Sequence, residues 1–383
     1  MTADSFDIPL SVPHLGGRER KFIADALKRN FVGPLGPVVE AFEAELAAAV
    51  GAPKALAVAS GTAAMHLALC LAGVGRGDLV LASSLTFIGS VGPAHHLGAD
   101  LVFIDSEPAT WNLDLDLLAE ELAACARRGR LPKAVIPTEL YGQPCDLERL
   151  TAICGEYGVP LVMDSAESLG STCRGRQAGV GADFTVLSFN GNKIITSGGG
   201  GALIAREPGR LNEAQNLATQ ARDHSRPYYE HQRVGFNYRL SSLQAALGLG
   251  QLLVLKRRVE QRRKVFRYYQ RHLAGVPGIS LMPEAAFGQS NRWLSVILVE
   301  PEACGRDSAA LREALARERI ESRPLWKPMH VQPVFRDCRV VGGAVSEGLF
   351  ARGLCLPSGS QLAGRPADLQ RVVDVIRSLA GRG

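Results

Sequence analysis

Lysine is scarce in this chain, eight residues among 43 basic ones, and one of the eight stands where an amine could react. Lys193 lies in DFTVLSFNGNKIITSGGGGALIA (183–205), after an apolar run and just before four consecutive glycines. A lysine amine whose pKa is lowered by burial or by neighbouring cations can condense with a carbonyl, which an always-charged arginine cannot do. Taken alone, the same segment reads more readily as a surface loop. VPLVMDSAES places Asp164 where an apolar run ends. At the carboxyl edge of a parallel sheet such a residue faces the crevice where ligands bind; a turn or capping aspartate is the plainer alternative. SGTAAMHLAL (60–69) follows the apolar ALAVA and opens a helical pattern. Its first N–H groups and small side chains suit an anion, although Ser, Gly and Thr also cap helices that bind nothing.

Taken together in chain order, these segments supply an anion cradle, an acid able to balance a protonated ring nitrogen, a carbonyl-reactive lysine, and a glycine loop with room for a flat ring. Pyridoxal 5'-phosphate asks for that set, because the cofactor is the electron sink and the protein supplies orientation and charge. Lys193 and Asp164 are therefore the expected catalytic residues. GVGRGD (73–78) superficially resembles a dinucleotide fingerprint, but it ends a helix and precedes a strand, so a helix cap and turn is expected.

The elements that must position these groups follow from periodicity. Between about Gly51 and Leu203, the short apolar runs ALAVAS, DLVLAS, DLVFID, AVIPTEL, VPLVMDS and DFTVLSF alternate with helical patterns. This spacing predicts α/β architecture with largely parallel strands buried on both faces. One long helical pattern is expected from about 241 to Gly275. RWLSVILVE then reads as a strand, SAALREALARERI as a helix and PADLQRVVDVIRSLAG as a terminal helix. The expected division is a large domain over 1–250, including the N-terminal segment, and a smaller α+β domain over 251–383. Along the basic run KRRVEQRRKVFRYYQRH and its flanks, the apolar stripe Val254, Leu255, Val259, Val265, Phe266 and Leu273 leaves the arginines on faces expected to be solvated.

A net charge of +5, with 43 basic against 38 acidic residues, gives no reason to expect nucleic acid as partner. No apolar run reaches the ~18 residues of a membrane span. The opening MTADSFDIPLSVPHLGG lacks a basic stretch followed by an apolar one, so no export signal is expected. Eight scattered cysteines, without zinc-type spacing, suggest reduced thiols in a cytoplasmic protein without bound metal.

SGTAAMHLAL, LTFIGSVGPAHHLGADLVFID, LYGQPCDL, VMDSAESLG, SFNGNKIITSGGGG, GFNYRLSSLQAALGLGQL and LCLPSG together resemble the DegT/DnrJ/EryC1/StrS sugar-nucleotide aminotransferases, over nearly the whole chain. The resemblance implies the aspartate aminotransferase fold (fold type I) and pyridoxal 5'-phosphate, with pyridoxamine phosphate as its aminated form. It implies that the amides of Thr62 and Ala63 and the Ser188 hydroxyl hold the phosphate. Phe87 would stack on the ring, Asp164 would pair with its nitrogen, and Glu167 would lie near its other substituents. Asn237 would reach the phosphate of a neighbouring subunit, so a homodimer with shared sites is implied. Asn190 stands where relatives often have His. Relatives that dehydrate sugars have His in place of the lysine, so Lys193 favours transamination. QARDHSRPYYEHQRVGFNYRLS, NRWLSVIL and IESRPLWKPMHVQPVF further resemble the branch that aminates C4 of UDP-linked 4-keto-6-deoxy-N-acetylhexosamines on the route to bacillosamine-type sugars, with L-glutamate as donor. Trp326 and His330 would then lie near the sugar nucleotide, and Arg323 or Arg239 would meet a carboxylate or diphosphate. The rival readings are an aminotransferase for another nucleotide-linked ketosugar and a non-catalytic protein that kept the fold.

Overall fold

The computed structural model describes residues 6–380. The six apolar runs form β1 (Leu56–Val58), β2 (Leu79–Ser83), β3 (Asp100–Ile104), β4 (Ala134–Ile136), β5 (Val162–Asp164) and β6 (Phe184–Ser188). β7 (Gly201–Ala205) follows the glycine run, and the C-terminal third adds β8 (Ile279–Leu281), β9 (Ser295–Val299), β10 (Arg323–Pro324), β11 (Arg339–Val341) and β12 (Gly353–Leu356). Helices α1 (Glu19–Lys28) and α2 (Pro37–Val50) precede the first strand. α3 (Gly61–Leu71), α4 (Ile88–His96), α5 (Leu115–Arg127), α6 (Leu147–Glu156) and α7 (Arg210–Ala218) interleave with the strands. α8 (Ser242–Leu252), α9 (Leu255–His272), α10 (Ser308–Arg317), α11 (Ala344–Arg352) and α12 (Pro366–Leu379) complete the chain.

The main sheet has two hydrogen-bonded halves, β11-β3-β2-β4 and β5-β6-β7-β1, joined by parallel bridges at Val135–Leu161 and Thr138–Asp164. Only β7 runs against its neighbours. Every residue of β1, β2, β4, β5 and β7 is buried, which is why these strands read as continuous apolar runs rather than alternating ones. One core, around Met65, Leu67, Val80 and Phe103, fills the α3 side, and another, around Phe42, Leu46, Leu187 and Phe189, fills the α2 side. GVGRGD is a turn: Gly73 takes φ +77° after α3, and the Gly75 N–H donates to Asp78 Oδ2 at 2.9 Å.

The smaller sheet, β8-β9-β12-β10, is antiparallel throughout and packs against α9, α10 and α12. The expected division at residue 250 is crossed in both directions. Ile8 bridges to Ile320 beside the smaller sheet, and β11 returns to pair in parallel with β3 at the edge of the main sheet.

Two expectations are corrected. The helical pattern from 241 to 275 is broken at Leu253–Val254, where Val254 adopts φ −113° and ψ 4°. The halves serve different cores: α8 packs on α1 and α2, whereas α9 sends Val265 and Tyr269 into the core of the smaller sheet. Two of the arginines expected on solvated faces, Arg258 and Arg262, are each only 1% exposed. Arg258 Nη2 donates to the His14 and Leu15 carbonyls at 2.8 Å each. Arg262 donates to the Trp293 and Ser358 carbonyls and, at 2.9 Å, to Ser11 Oγ. These guanidinium groups tie the N-terminal segment and the smaller sheet to α9 by satisfying carbonyls that would otherwise be buried without donors. Lys256, Arg257, Lys264, Arg267 and Arg271 are exposed as expected.

Candidate active site

A cavity of about 680 Å³ opens over the carboxyl ends of β5 and β6 and the start of α3, and the C-terminal part of the chain contributes Trp293, Arg323 and Trp326 to its lining. Helix α3 begins here because Ser60, in extended conformation, caps it by accepting the Ala63 N–H at 3.0 Å. Of the two amides expected to hold a phosphate, that of Ala63 is therefore engaged in the cap. Thr62 lines the cavity, and its N–H, in the first turn, has no intrahelical acceptor. Ser188, at the end of β6, also lines the cavity. A Cβ added to Gly61 would come within 3.1 Å of Ser188 Cβ, so this corner admits backbone and little else.

The glycine run has two purposes. Gly198 and Gly200 take φ of +79° and +103°, which favour glycine, and Gly199 and Gly200 line the cavity. Behind the cavity, a Cβ on Gly201 would come within 2.5 Å of the Gly61 nitrogen, so β7 can lie against the Ser60–Gly61 turn only without side chains. The glycines thus make space for a ligand and also let the sheet approach the helix that would bind it.

Asp164 ends β5, is 8% exposed and lines the cavity. Its Oδ1 accepts the Ala166 N–H at 3.0 Å, and its Oδ2 accepts the Ser90 hydroxyl, itself held by Thr86 Oγ1 at 2.7 Å. Three residues on, Glu167 is buried; its Oε2 accepts the Tyr141 N–H at 2.8 Å and its Oε1 lies 3.1 Å from Lys193 Nζ. Burial pushes the Glu167 carboxyl up to about 7; nearby Asp164 adds to this, and Lys193 and the Tyr141 N–H partly offset it. Lys193 Nζ also sits 4.1 Å from the centre of the Trp293 ring.

Sequence reasoning missed Glu139, a wholly buried acid in the segment TELYGQP. Its carboxylate accepts the Ser168 hydroxyl and, at 3.3 Å, the Cys145 N–H, while its backbone N–H donates to the Asp164 carbonyl at 3.0 Å. Burial pushes this carboxyl, too, up to about 7. Trp293 and Ser90 were also missed as site residues. Trp293 stood within NRWLSVIL, but nothing in its spacing pointed to the lysine. Ser90 and Glu139 carried no local signal, since serines and acids next to strand ends are ordinary.

The remaining expected residues divide. Phe87 lines the cavity at 57% exposure and packs against Trp326, ring centres 5.5 Å apart. Asn190, Arg323 and Trp326 line it as well. Arg323 is exposed and held by Glu321, its Nη2 2.8 Å from Oε1. Arg239 does not line the cavity: it is buried in an ion pair with Glu43 at 2.7 Å and donates to the Ala57 carbonyl at 2.9 Å. His330 is turned aside as well, with Nδ1 2.6 Å from Ser84 Oγ and Nε2 3.0 Å from Glu347 Oε1. Asn237 is exposed, outside the cavity of its own chain.

These groups fit pyridoxal phosphate. A first-turn amide without an intrahelical acceptor and the Ser188 hydroxyl, the Asp164 carboxylate, the Lys193 amine and the exposed Phe87 ring all line one cavity. The aminotransferase model described as DegT/DnrJ/EryC1/StrS matches residues 13–377. The chain belongs to that family. EpsN of Bacillus subtilis (strain 168), whose name assigns it to the pyridoxal phosphate-dependent aminotransferases, is 45% identical over 97% of this chain and 95% of its own length. A GDP-perosamine synthase of Caulobacter vibrioides is 33% identical over 96% of each chain. The structure of DesI in the presence of its TDP-sugar product superposes with a TM-score of 0.89 at 27% identity, covering 99% of this chain and 95% of that one. The protein is thus a pyridoxal phosphate-dependent sugar aminotransferase of fold type I.

Proposed function

We propose that the enzyme moves an amino group from L-glutamate to the C4 ketone of a UDP-linked 4-keto-6-deoxy-N-acetylhexosamine. The observation that carries this reading is the set of C-terminal residues that line the cavity with Lys193. Trp293, Arg323 and Trp326 face the cavity from NRWLSVIL and IESRPLWKPMHVQPVF, the segments that resemble the branch acting on such sugars. Trp326 and Phe87 offer apolar surface for a 6-deoxy sugar, and Arg323 offers charge at the mouth for a diphosphate or the donor's carboxylate.

When bound, pyridoxal 5'-phosphate supplies the carbonyl that receives the amino group and a ring that takes up negative charge. Thr62 N–H and Ser188 Oγ would hold its phosphate. Asp164, fixed by Ser90 and the Ala166 N–H, would keep a proton on the pyridine nitrogen. The Lys193 amine takes the proton from the donor's α-carbon and returns a proton to C4 of the sugar, serving as general base and then general acid. Glu167 balances the lysine's charge between those events. The aromatic wall limits water around the reacting carbon.

Asn237 would complete the phosphate site of a second subunit. It lies in a segment that exposes Tyr228, Tyr229 and Val234, the last at 90%, and such surface supports a homodimer. A cytoplasmic location is supported by eight free thiols. Among the described residues no helix is long and apolar enough to cross a membrane.

A second reading, a GDP- or TDP-linked ketosugar as acceptor, is favoured by the names of the Caulobacter relative and of DesI. The deciding experiment has two stages. Purified enzyme with pyridoxal phosphate and glutamate should release 2-oxoglutarate. The aminated enzyme should then convert a UDP-linked 4-ketosugar at a kcat/KM at least about tenfold above its GDP- and TDP-linked counterparts. Preference for another nucleotide would replace the sugar assignment and keep the chemistry.

A further inference from the structure

We propose that Trp293 and Glu167 together form a berth for the ammonium of Lys193, with Trp293 acting as a positioning residue for the lysine's proton transfers. Glu167 Oε1 lies 3.1 Å from Nζ, and the indole ring centre lies 4.1 Å from it. Both walls are buried, Trp293 at 3% exposure and Glu167 at 4%. The indole also reaches the backbone that carries the lysine, since Nε1–H donates to the Asn192 carbonyl at 2.7 Å. One tryptophan therefore holds the lysine at both its base and its tip.

The two walls are themselves tied together. Asn291 Nδ2 donates to the Glu167 carbonyl at 2.7 Å, and Asn291 Oδ1 accepts the Trp293 N–H at 2.8 Å. Arg262 fixes the Trp293 carbonyl from α9. A tryptophan serving only to fill a core would put apolar neighbours on both faces of its ring; this one joins a core cluster and also presents its ring to a cation whose side chain is only 13% exposed, and cation–π attraction grows as the cation is desolvated. The lysine stem has four rotatable carbons, and its amine must be within reach of the substrate carbon each time it is freed. A berth that restricts the stem raises the fraction of time spent in reach. The other titratable or charged groups around the pair are Asp164, Tyr141 and Cys355, with Glu139 adjoining Asp164 and the Glu321–Arg323 pair on the same cavity.

The proton-transfer part of this inference rests on the transaminase reading; the berth itself does not. The test is trace acylation of Lys193 as a function of pH in the full chain freed of cofactor, read by peptide mass spectrometry. Trp293→Leu removes a stabiliser of the charged amine, so the midpoint of reactivity should fall by about half a unit to one and a half units. Trp293→Phe keeps a smaller ring and should fall by a few tenths of a unit, about the lower end of the same interaction. In the loaded enzyme, Trp293→Leu should lower kcat for glutamate about tenfold with KM nearly unchanged, and Trp293→Phe should recover part of it. Midpoints identical to wild type in both variants would overturn the berth, and if Trp293→Leu does not fold, an unchanged midpoint in Trp293→Phe overturns it alone. A shifted midpoint in a protein that never releases 2-oxoglutarate would instead sink the transaminase reading and leave the berth standing.

Discussion

Lys193 and Arg258 are both cations withdrawn from water, and they do opposite work. Arg258 is 1% exposed, and its terminal nitrogens are taken up by fixed oxygens: two backbone carbonyls at 2.8 Å each and Gln261 Oε1 at 2.9 Å. Lys193 has a side chain 13% exposed, one carboxylate partner at 3.1 Å and an aromatic face, and it borders a cavity. A buried cation surrounded by fixed acceptors is a tie in the architecture. One held by a single acid, with space beside it, can exchange its proton and bond to something new.

Substitutions can break that contrast. The largest effect should come from Lys193→Ala, which removes the general base and should lower kcat by up to about 10⁴-fold. Its urea midpoint should stay close to wild type, because Glu167 can take up a proton once its partner is gone. Near-normal turnover would mean that another group carries the chemistry. Arg258→Leu should do the reverse. Two carbonyls lose their donor, at a cost of about 3 kcal/mol in denaturant unfolding, while kcat per folded molecule stays within about twofold. A comparable loss of kcat would erase the distinction between the two cations.

The buried acids sharpen the contrast through pH. Glu139 and Glu167 are both pushed up to about 7 by burial, so the folded chain holds their protons more tightly than the unfolded chain does. Their contribution to stability is fully present below about pH 4.5 and is lost as pH rises through about 7. Glu139→Gln should remove its share of that decline, roughly 3 kcal/mol at most between pH 5 and 8. A slope equal to wild type would show that Glu139 is already ionised in the fold. The smallest effect belongs to Arg323→Ala: this exposed residue should raise KM for the nucleotide sugar by about fivefold and flatten its salt dependence, with kcat little changed.

Much of the floor of the site was legible because it obeys local rules. Strands β1 to β6 are almost wholly buried, so apolar runs mark them, and Asp164 at the end of β5 and Lys193 in the loop after β6 both reach the crevice. The walls were less legible because they depend on what lies opposite in space. Arg239 and Arg323 look alike in sequence, yet one is buried against Glu43 and the other stands at the mouth. His330 read as a ligand contact until Ser84 and Glu347 were seen to take both its nitrogens. Along α9, the charge pattern is the same for a residue that meets solvent and for one that meets a backbone carbonyl. β7 was hidden by the glycines before it, whose composition signals a loop even where they serve to bring a strand close.

β11 has a practical consequence for anyone recombining this enzyme with a relative. After Trp326 the chain crosses back, buries Phe335 in the core of the main sheet and adds residues 339–341 to its edge before returning to the smaller sheet. The specificity wall is thus a span with an abutment on each lobe. A chimera cut at residue 250 would import a foreign edge strand along with the intended wall, and any mismatch would fall on β3. Grafts bounded inside the span, between residues 321 and 331, would trade the aromatic surface while leaving the host sheet its own border.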